Sequence, residues 1–140
     1  MITWKEQLSV GNAIIDAEHR NLISMVNDVV HAIRAIDSLA LSESLRLLED
    51  WICVHFANKE RFARVVNFDF TQHKLAHTHL LKELQYLRDE LTAKECIWPE
   101  DAVKHYSQSL KKWIIDDHII KLDMLMKPSL QARDYNLMPS

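Results

Sequence analysis

The sequence has little of what interrupts helices: 140 residues contain one glycine and three prolines. Both residue types disfavour helix interiors, so their scarcity favours long helices over a turn-rich β fold. No stretch approaches the roughly 20 apolar residues that a membrane span needs. The segment from Met1 to Glu6 lacks the basic and apolar regions of a signal peptide. We therefore expect neither a membrane protein nor an exported one.

Cysteine is also scarce, and the chain has no net positive charge. The two cysteines, Cys53 and Cys96, lie in separate segments, which fits a reduced, cytoplasmic setting but leaves one disulfide open. The formal net charge of −3 argues against nucleic-acid binding, which usually requires a basic stripe. The length and the 48% of hydrophobic residues suit one domain, residues 1–140, with one core.

Apolar residues recur at helical spacing in four segments. Helices of about 20 residues joined by short connections favour an up-down-up-down arrangement. We therefore predict an all-α four-helix bundle over about residues 17–127, with an irregular N-terminal lead and a tail, residues 129–140, without periodicity. The predicted helices run from about Ala17 to Ile36, from Ser42 through Phe62, from about Gln72 to Ala93, and from Pro99 to about Met126.

Capping and helix-breaking residues set the expected ends of these helices. Asp16 and Ser42 are the predicted N-caps of the first two, because their side chains can accept from free backbone N–H groups. Trp98-Pro99 predicts a turn, with Pro99 at the first position of the fourth helix. Pro128 is expected to end that helix.

Histidine is unusually frequent, with eight residues. His73 and His77 are four residues apart, so they share one face of the third predicted helix with its leucine stripe. Two neutral imidazoles at this spacing can bind one metal ion, although the pair alone is a weak signal. His79 lies about 200° round the helix from His77, and His31 and His105 lack an inward neighbour of ligand type, so we interpret all three as surface or packing residues.

Three further histidines and one carboxylate are predicted to face the bundle interior: His19, His55, His118 and Asp123. His118 and Asp123 are five residues apart, about 140° round an α-helix, so they either flank one inward stripe or come together through a local helix bulge. Burying so many polar groups without partners would cost several kcal/mol. A metal ion would satisfy them.

The order and spacing of these motifs resemble the hemerythrins, and specifically the bacteriohemerythrins, over about residues 4–127. The matching elements are Trp4, Val10-Gly11-Asn12, Ile15-Asp16-Ala17-Glu18-His19, Leu22, His55-Phe56 with Glu60, His73 with His77, and His118-Ile119 with Asp123.

The resemblance implies a non-haem di-iron site that binds O2 reversibly. It implies that His73, His77 and His118 bind one iron and that His19 and His55 bind the other. Asp123 matches one of two carboxylates that bridge the irons. Imidazole and carboxylate are ligands that suit iron.

One position departs from the family pattern. Lys59 stands four residues after His55, where the second bridging carboxylate belongs, and Glu60 lies about 100° further round the helix. An ammonium carries no acceptor and is repelled by divalent cations. Lys59 can swing toward solvent, lose its proton, pair with Asp123 or be carbamylated, or a bulge can rotate Glu60 inward.

The departure at Lys59 affects the expected metal content. A mononuclear site at His73, His77, His118 and Asp123 is expected about as often as a complete iron pair, and another metal stays open. A smaller departure is Trp113, which precedes His118 by five residues where the family usually has four.

The leading hypothesis is an iron-binding, O2-binding protein for oxygen storage, delivery or sensing. The alternative, favoured by Lys59, is a degenerate hemerythrin-like domain with an altered or mononuclear site that acts in signalling or interaction. An oxidase or peroxidase disagrees with the carboxylate-poor ligand set. No nucleophile–base pair, phosphate loop or cofactor fingerprint points to an enzyme, and a signalling partner or homo-oligomer is left open.

Overall fold

The computed structural model describes residues 2–93 and 99–139, with the side chains of residues 92 and 93 left aside. Helices account for all regular structure in these residues, so the predicted all-α class is confirmed. The order is a 3-10 turn (Glu6–Leu8), α1 (Ala13–Arg34), α2 (Ser38–Val65), α3 (Thr71–Ala93), α4 (Glu100–Lys111), a π segment (Lys112–Leu122), a 3-10 turn (Asp123–Met126) and α5 (Lys127–Gln131).

The long helices pack in a closed ring. α1 contacts α2 and α4, α2 contacts α3, and α3 contacts the π segment that continues α4. Helices adjacent in sequence are thus neighbours in space, as short connections require. This confirms the predicted four-helix bundle. In the part of the chain that the structure describes, no helix combines the length and apolar character needed to cross a membrane.

The core consists of two apolar clusters. The larger contains residues such as Leu22, Ile52 and Leu84 from three helices, together with Ile119 of the π segment. The smaller lies at the end of the bundle where α1 begins and includes Ile15, Phe56, Phe62, Phe70 and Met126. His19, His55 and Asp123 each lie in sequence between a member of one cluster and a member of the other, so a polar layer lies where the two clusters meet.

α1 begins earlier than predicted, and Asp16 does not cap it. Asn12 is the N-cap: its side-chain oxygen accepts from the N–H groups of Ile14 and Ile15 at 2.9 and 3.1 Å. Gly11 precedes it with φ of +86°, a conformation that glycine adopts without steric cost. The Asp16 carboxylate instead accepts from the Val10 N–H at 2.9 Å, which holds the N-terminal lead against α1.

α2 also begins earlier, because Asp37 is its N-cap and Ser42 lies inside the helix. The Asp37 carboxylate accepts from the Ala40 N–H at 3.0 Å. Asp37 ends the connection and starts α2, because its side chain accepts from a backbone N–H group that has no carbonyl partner in the first turn of the helix.

The C-terminal part differs from the prediction at both ends. Pro99 is the N-cap of α4, whereas the sequence predicts it at the first helical position. Trp98 and Cys96 lie outside the described residues. Pro128 falls in the first turn of α5, where its missing N–H has no helical partner to lose, so the chain stays helical to Gln131.

The tail beyond α5 packs back on the start of α1. The Tyr135 carbonyl accepts from the Ala13 N–H at 2.8 Å, and the Tyr135 hydroxyl donates to Asp16 at 3.0 Å. The Asn12 side chain donates to the Leu137 carbonyl at 3.1 Å. Asn12 and Asp16 thus join the lead, α1 and the tail.

The choice of cap in α2 is testable by alanine substitution. Asp37→Ala removes the observed cap and should lower the free energy of unfolding by about 1 kcal/mol. Ser42→Ala is the matched control: it replaces an exposed residue in the helix interior with a better helix former and should change that free energy little. Urea unfolding followed by circular dichroism measures both, and a larger loss for Ser42→Ala would restore Ser42 as the cap.

Candidate metal centre

Six polar side chains are almost fully buried at one level of the bundle. They come from α1, α2, α3, the π segment and the 3-10 turn after it, and none is more than 3% exposed. His77 of α3 is half-buried beside them, whereas His31, His79 and His105 are exposed. The six are His19, His55, Lys59, His73, His118 and Asp123.

Asp123 is the centre of this layer. One of its carboxylate oxygens lies 2.8 Å from His19 Nε2, and the other accepts from Lys59 Nζ at 2.7 Å. His73 Nε2 is 3.6 Å from the second oxygen. Side-chain nitrogens from α1, α2 and α3 therefore all lie near the Asp123 carboxylate, at the start of the 3-10 turn that follows the π segment.

The Lys59–Asp123 contact is an ion pair in a dry environment. Burial alone would raise the pKa of the Asp123 carboxyl, but the charge of Lys59 and the hydrogen bond from His19 hold it well below its ordinary value. Burial lowers the pKa of Lys59, and the adjacent Asp123 opposes that change. The Lys59 ammonium also lies 4.6 Å from the centroid of the Phe56 ring, where the ring face attracts a cation.

His19, His55 and Asp123 form the compact part of the layer. Each offers one potential ligand atom, and among the described residues these atoms lie within 4.8 Å of one another. The His19 and His55 rings meet edge to face, with centroids 4.8 Å apart. Two imidazoles and a carboxylate at this separation are a chemically reasonable ligand set for a divalent metal.

Glu18 orients His55, a role that the sequence did not reveal. Its carboxylate lies 2.7 Å from His55 Nδ1 and accepts from Asn58 Nδ2 at 2.6 Å. An ionised carboxylate only accepts, so His55 Nδ1 donates and Nε2 keeps its lone pair. Nε2 is buried without a hydrogen-bond partner in the described residues.

The sequence feature that could have indicated Glu18 is its place directly before His19, in the segment that resembles the hemerythrins. Metal-binding histidines commonly donate their second nitrogen to a carboxylate, so an acidic residue in such a motif is a candidate. Sequence spacing did not reveal the partner, because Glu18 acts on a histidine of α2 that is 37 residues away.

The remaining histidines, His73, His77 and His118, pack against two aromatic rings. The His77 ring stacks on Phe56 with centroids 3.7 Å apart, and the His118 ring lies 5.6 Å from Phe56. His73 stacks on Phe70 at 4.9 Å. These ring contacts restrict the orientations of the imidazoles.

Burial keeps these imidazoles neutral. It lowers the pKa of His77 to about 4 and that of His118 to about 3, with the nearby charge of Lys59 acting in the same direction. Burial also lowers the pKa of His73. Neutral imidazole is the form that binds metals. Within the described residues, His77 Nδ1 and His118 Nε2 have no hydrogen-bond partner.

The π segment explains how His118 and Asp123 both face inward. The Asp123 N–H donates to the carbonyls of His118 and Ile119, so residues five apart are joined by one hydrogen-bonded turn. The local bulge was one of two arrangements that the spacing left open. Trp113 lies five residues before His118. Together with His118 and Leu80, it lines a pocket of about 230 Å³ that reaches the surface.

The structure chooses among the alternatives for Lys59 and Glu60. Lys59 does not reach toward solvent but is fully buried on Asp123. Glu60 is not rotated inward: it accepts from Arg64 at 3.0 Å and lies 3.1 Å from Lys74 at the surface. Pairing of Lys59 with Asp123 is thus the alternative that the structure adopts.

The residues therefore fit a metal ion only in part. Neutral imidazoles with unpartnered nitrogens on His55, His77 and His118 are suitable donors for iron. A pair of irons bridged by Asp123 does not fit, since both oxygens of that carboxylate are bonded to His19 and Lys59.

Fold and site define a four-helix bundle with a buried histidine and carboxylate layer. No protein-family model matches the chain. It is 25% identical over 100 residues to a bacteriohemerythrin of Pseudomonas aeruginosa, and 28% identical over 101 residues to one of Stenotrophomonas maltophilia. The match covers 71% of this chain but only 65% and 66% of those relatives, just under two thirds of their length.

Solved structures agree with this comparison. A wild-type hemerythrin crystal structure superimposes with a TM-score of 0.75 at 23% identity and covers 94% of this chain and 98% of that one. A point mutant of hemerythrin gives 0.72 at 22% identity. At these identities the likeness concerns the fold. Together with the bacteriohemerythrin relatives, it confirms the resemblance of this chain to the hemerythrin family.

The positioning role of Glu18 is testable in metal-free protein. Glu18→Ala leaves His55 and Asn58 without their buried partner and should lower the free energy of unfolding by about 2–3 kcal/mol, measured by urea unfolding in the presence of a chelator. Glu6→Ala is the control, because Glu6 is 85% exposed on its side chain and its removal should have almost no effect. Equal effects of the two substitutions would contradict the assigned role.

Proposed function

We propose that this chain is a hemerythrin-like protein that binds non-haem iron between its four helices and binds O2 at that iron. Oxygen storage, delivery and sensing are all compatible with such a site. The observation that carries the proposal is the set of neutral, buried imidazoles whose inward nitrogens lack a partner in the described residues, on His55, His77 and His118.

The physical argument is the cost of leaving these nitrogens unpaired. A buried polar group without a hydrogen bond costs about 1–3 kcal/mol, and several such groups in one layer add to a large fraction of a domain's stability. A metal ion would satisfy the nitrogens that lie within its reach, and His55 Nε2 belongs to the group whose ligand atoms lie close together. Iron is the metal that the family resemblance implies, and imidazole is a ligand that suits it.

The chain's own residues would hold the metal. His19, His55 and Asp123, whose ligand atoms lie within 4.8 Å of one another, would bind it, while Glu18 holds the His55 ring in place through Nδ1. The pocket at Trp113 connects the surface with His118 and is a path for a small ligand. Iron bound by His19, His55 and Asp123 would supply the electrons with which O2 is held.

A second candidate function is a degenerate hemerythrin-like domain that acts in signalling or protein interaction. The observation that favours it is the Lys59–Asp123 ion pair, which occupies the carboxylate that would otherwise bind metal. The two candidates differ in one measurable property: the first requires an absorption change with O2, and the second does not.

Anaerobic loading with ferrous iron tests the proposal. Wild-type protein should retain iron after desalting, and its visible absorption should change on exposure to O2 and return when O2 is removed. His55→Ala should lower iron affinity at least about tenfold, because it removes a ligand nitrogen. His31→Ala, at an exposed histidine, is the matched control and should bind as wild type does.

The outcomes separate the two candidates. Loss of iron from wild-type protein on desalting would contradict the proposal. Retained iron with no response to O2 would favour the second candidate, the signalling or interaction domain.

A further inference from the structure

We propose that the Lys59 ammonium is a built-in cation that takes the place of one metal ion, so that the site holds a single iron where the resemblance implies two. The inference rests on the proposed function for the binding of iron itself. It goes further in stating how many ions the site accepts and which residue sets that number.

Asp123 provides the first step. A carboxylate that bridges two metals gives one oxygen to each. In this chain both oxygens are already bonded inside the protein, one to His19 Nε2 at 2.8 Å and the other to Lys59 Nζ at 2.7 Å. The ammonium therefore occupies the position beside Asp123 that a bridged cation would take.

The second step is that Lys59 is fixed where it is. The side chain is 0% exposed, so the ammonium has no solvent to retreat to without a movement of α2. Asp123 accepts its hydrogen bond, the Phe56 ring lies 4.6 Å away, and the charge of Glu18 acts on it favourably. A second divalent ion next to Asp123 would face this positive charge at short range, and repulsion would exclude it.

The third step concerns which metal position remains. Lys59 Nζ is bonded to the Asp123 oxygen that lies 3.6 Å from His73 Nε2, and it lies 4.6 Å from the Phe56 ring on which His77 stacks. The ammonium therefore takes the position beside His73 and His77. The single iron is assigned to the other position, at His19, His55 and Asp123, whose ligand atoms lie within 4.8 Å of one another. This differs from the mononuclear site that was expected at His73, His77, His118 and Asp123.

The metal-to-protein ratio after anaerobic iron loading and desalting tests the inference. Wild type should retain one iron per chain, and Lys59→Glu should retain two, because it removes the ammonium and restores a carboxylate four residues after His55. Lys82→Glu is the matched control: it makes the same change of charge at an exposed position of α3 and should retain one iron.

One iron in wild type and two in Lys59→Glu would support the inference, and any other pair of ratios would overturn it. Equal ratios of one would leave the proposed function intact, whereas no iron in either protein would overturn that function as well.

Unfolding in a chelator gives a readout that needs no metal. Lys59→Met leaves the buried Asp123 without its cation, so its midpoint of unfolding should fall below that of wild type. The double variant Lys59→Met with Asp123→Asn removes both charges and should recover part of the loss. If Lys59→Met does not fold at all while the double variant does, the ion pair is supported. A Lys59→Met midpoint equal to that of wild type would overturn the inference.

Discussion

The ion pair between Lys59 and Asp123 is the interaction on which the organisation of the bundle interior depends. Both side chains are almost fully buried, and their charged atoms are 2.7 Å apart. Removing one partner of such a pair typically costs about 3–5 kcal/mol, since it leaves an uncompensated charge in a dry interior. Each charge therefore offsets the cost of burying the other. The histidines of the polar layer are arranged around this ion pair, which has no net charge.

The backbone of the last helix is adapted to the same centre. An α-helix would place His118 and Asp123 on different sides, but the π segment joins them by one turn and buries both. Each π turn departs from the best helical hydrogen bonding, and such segments are frequent at functional sites. The apolar clusters on either side of the polar layer supply the packing that supports this departure.

The relation to the hemerythrins has two sides. The fold is shared with a solved hemerythrin structure, and burial keeps imidazoles such as those of His77 and His118 neutral, the form that binds metals. Lys59 places a buried positive charge at the position where the resemblance predicts a bridging carboxylate. Shared fold does not by itself establish shared function, so the role of the chain depends on this centre more than on the bundle.

The sequence by itself determined the helical class, the bundle and the histidines that could line it, because helical periodicity and ligand spacing are local properties. It misplaced the caps at Asp16 and Ser42 and the end at Pro128, since neighbouring residues compete for these roles. Only the tertiary structure decided where Lys59 goes and that Glu18 orients His55. Those partners lie 64 and 37 residues away in sequence, and no local pattern encodes which side chains meet across the bundle.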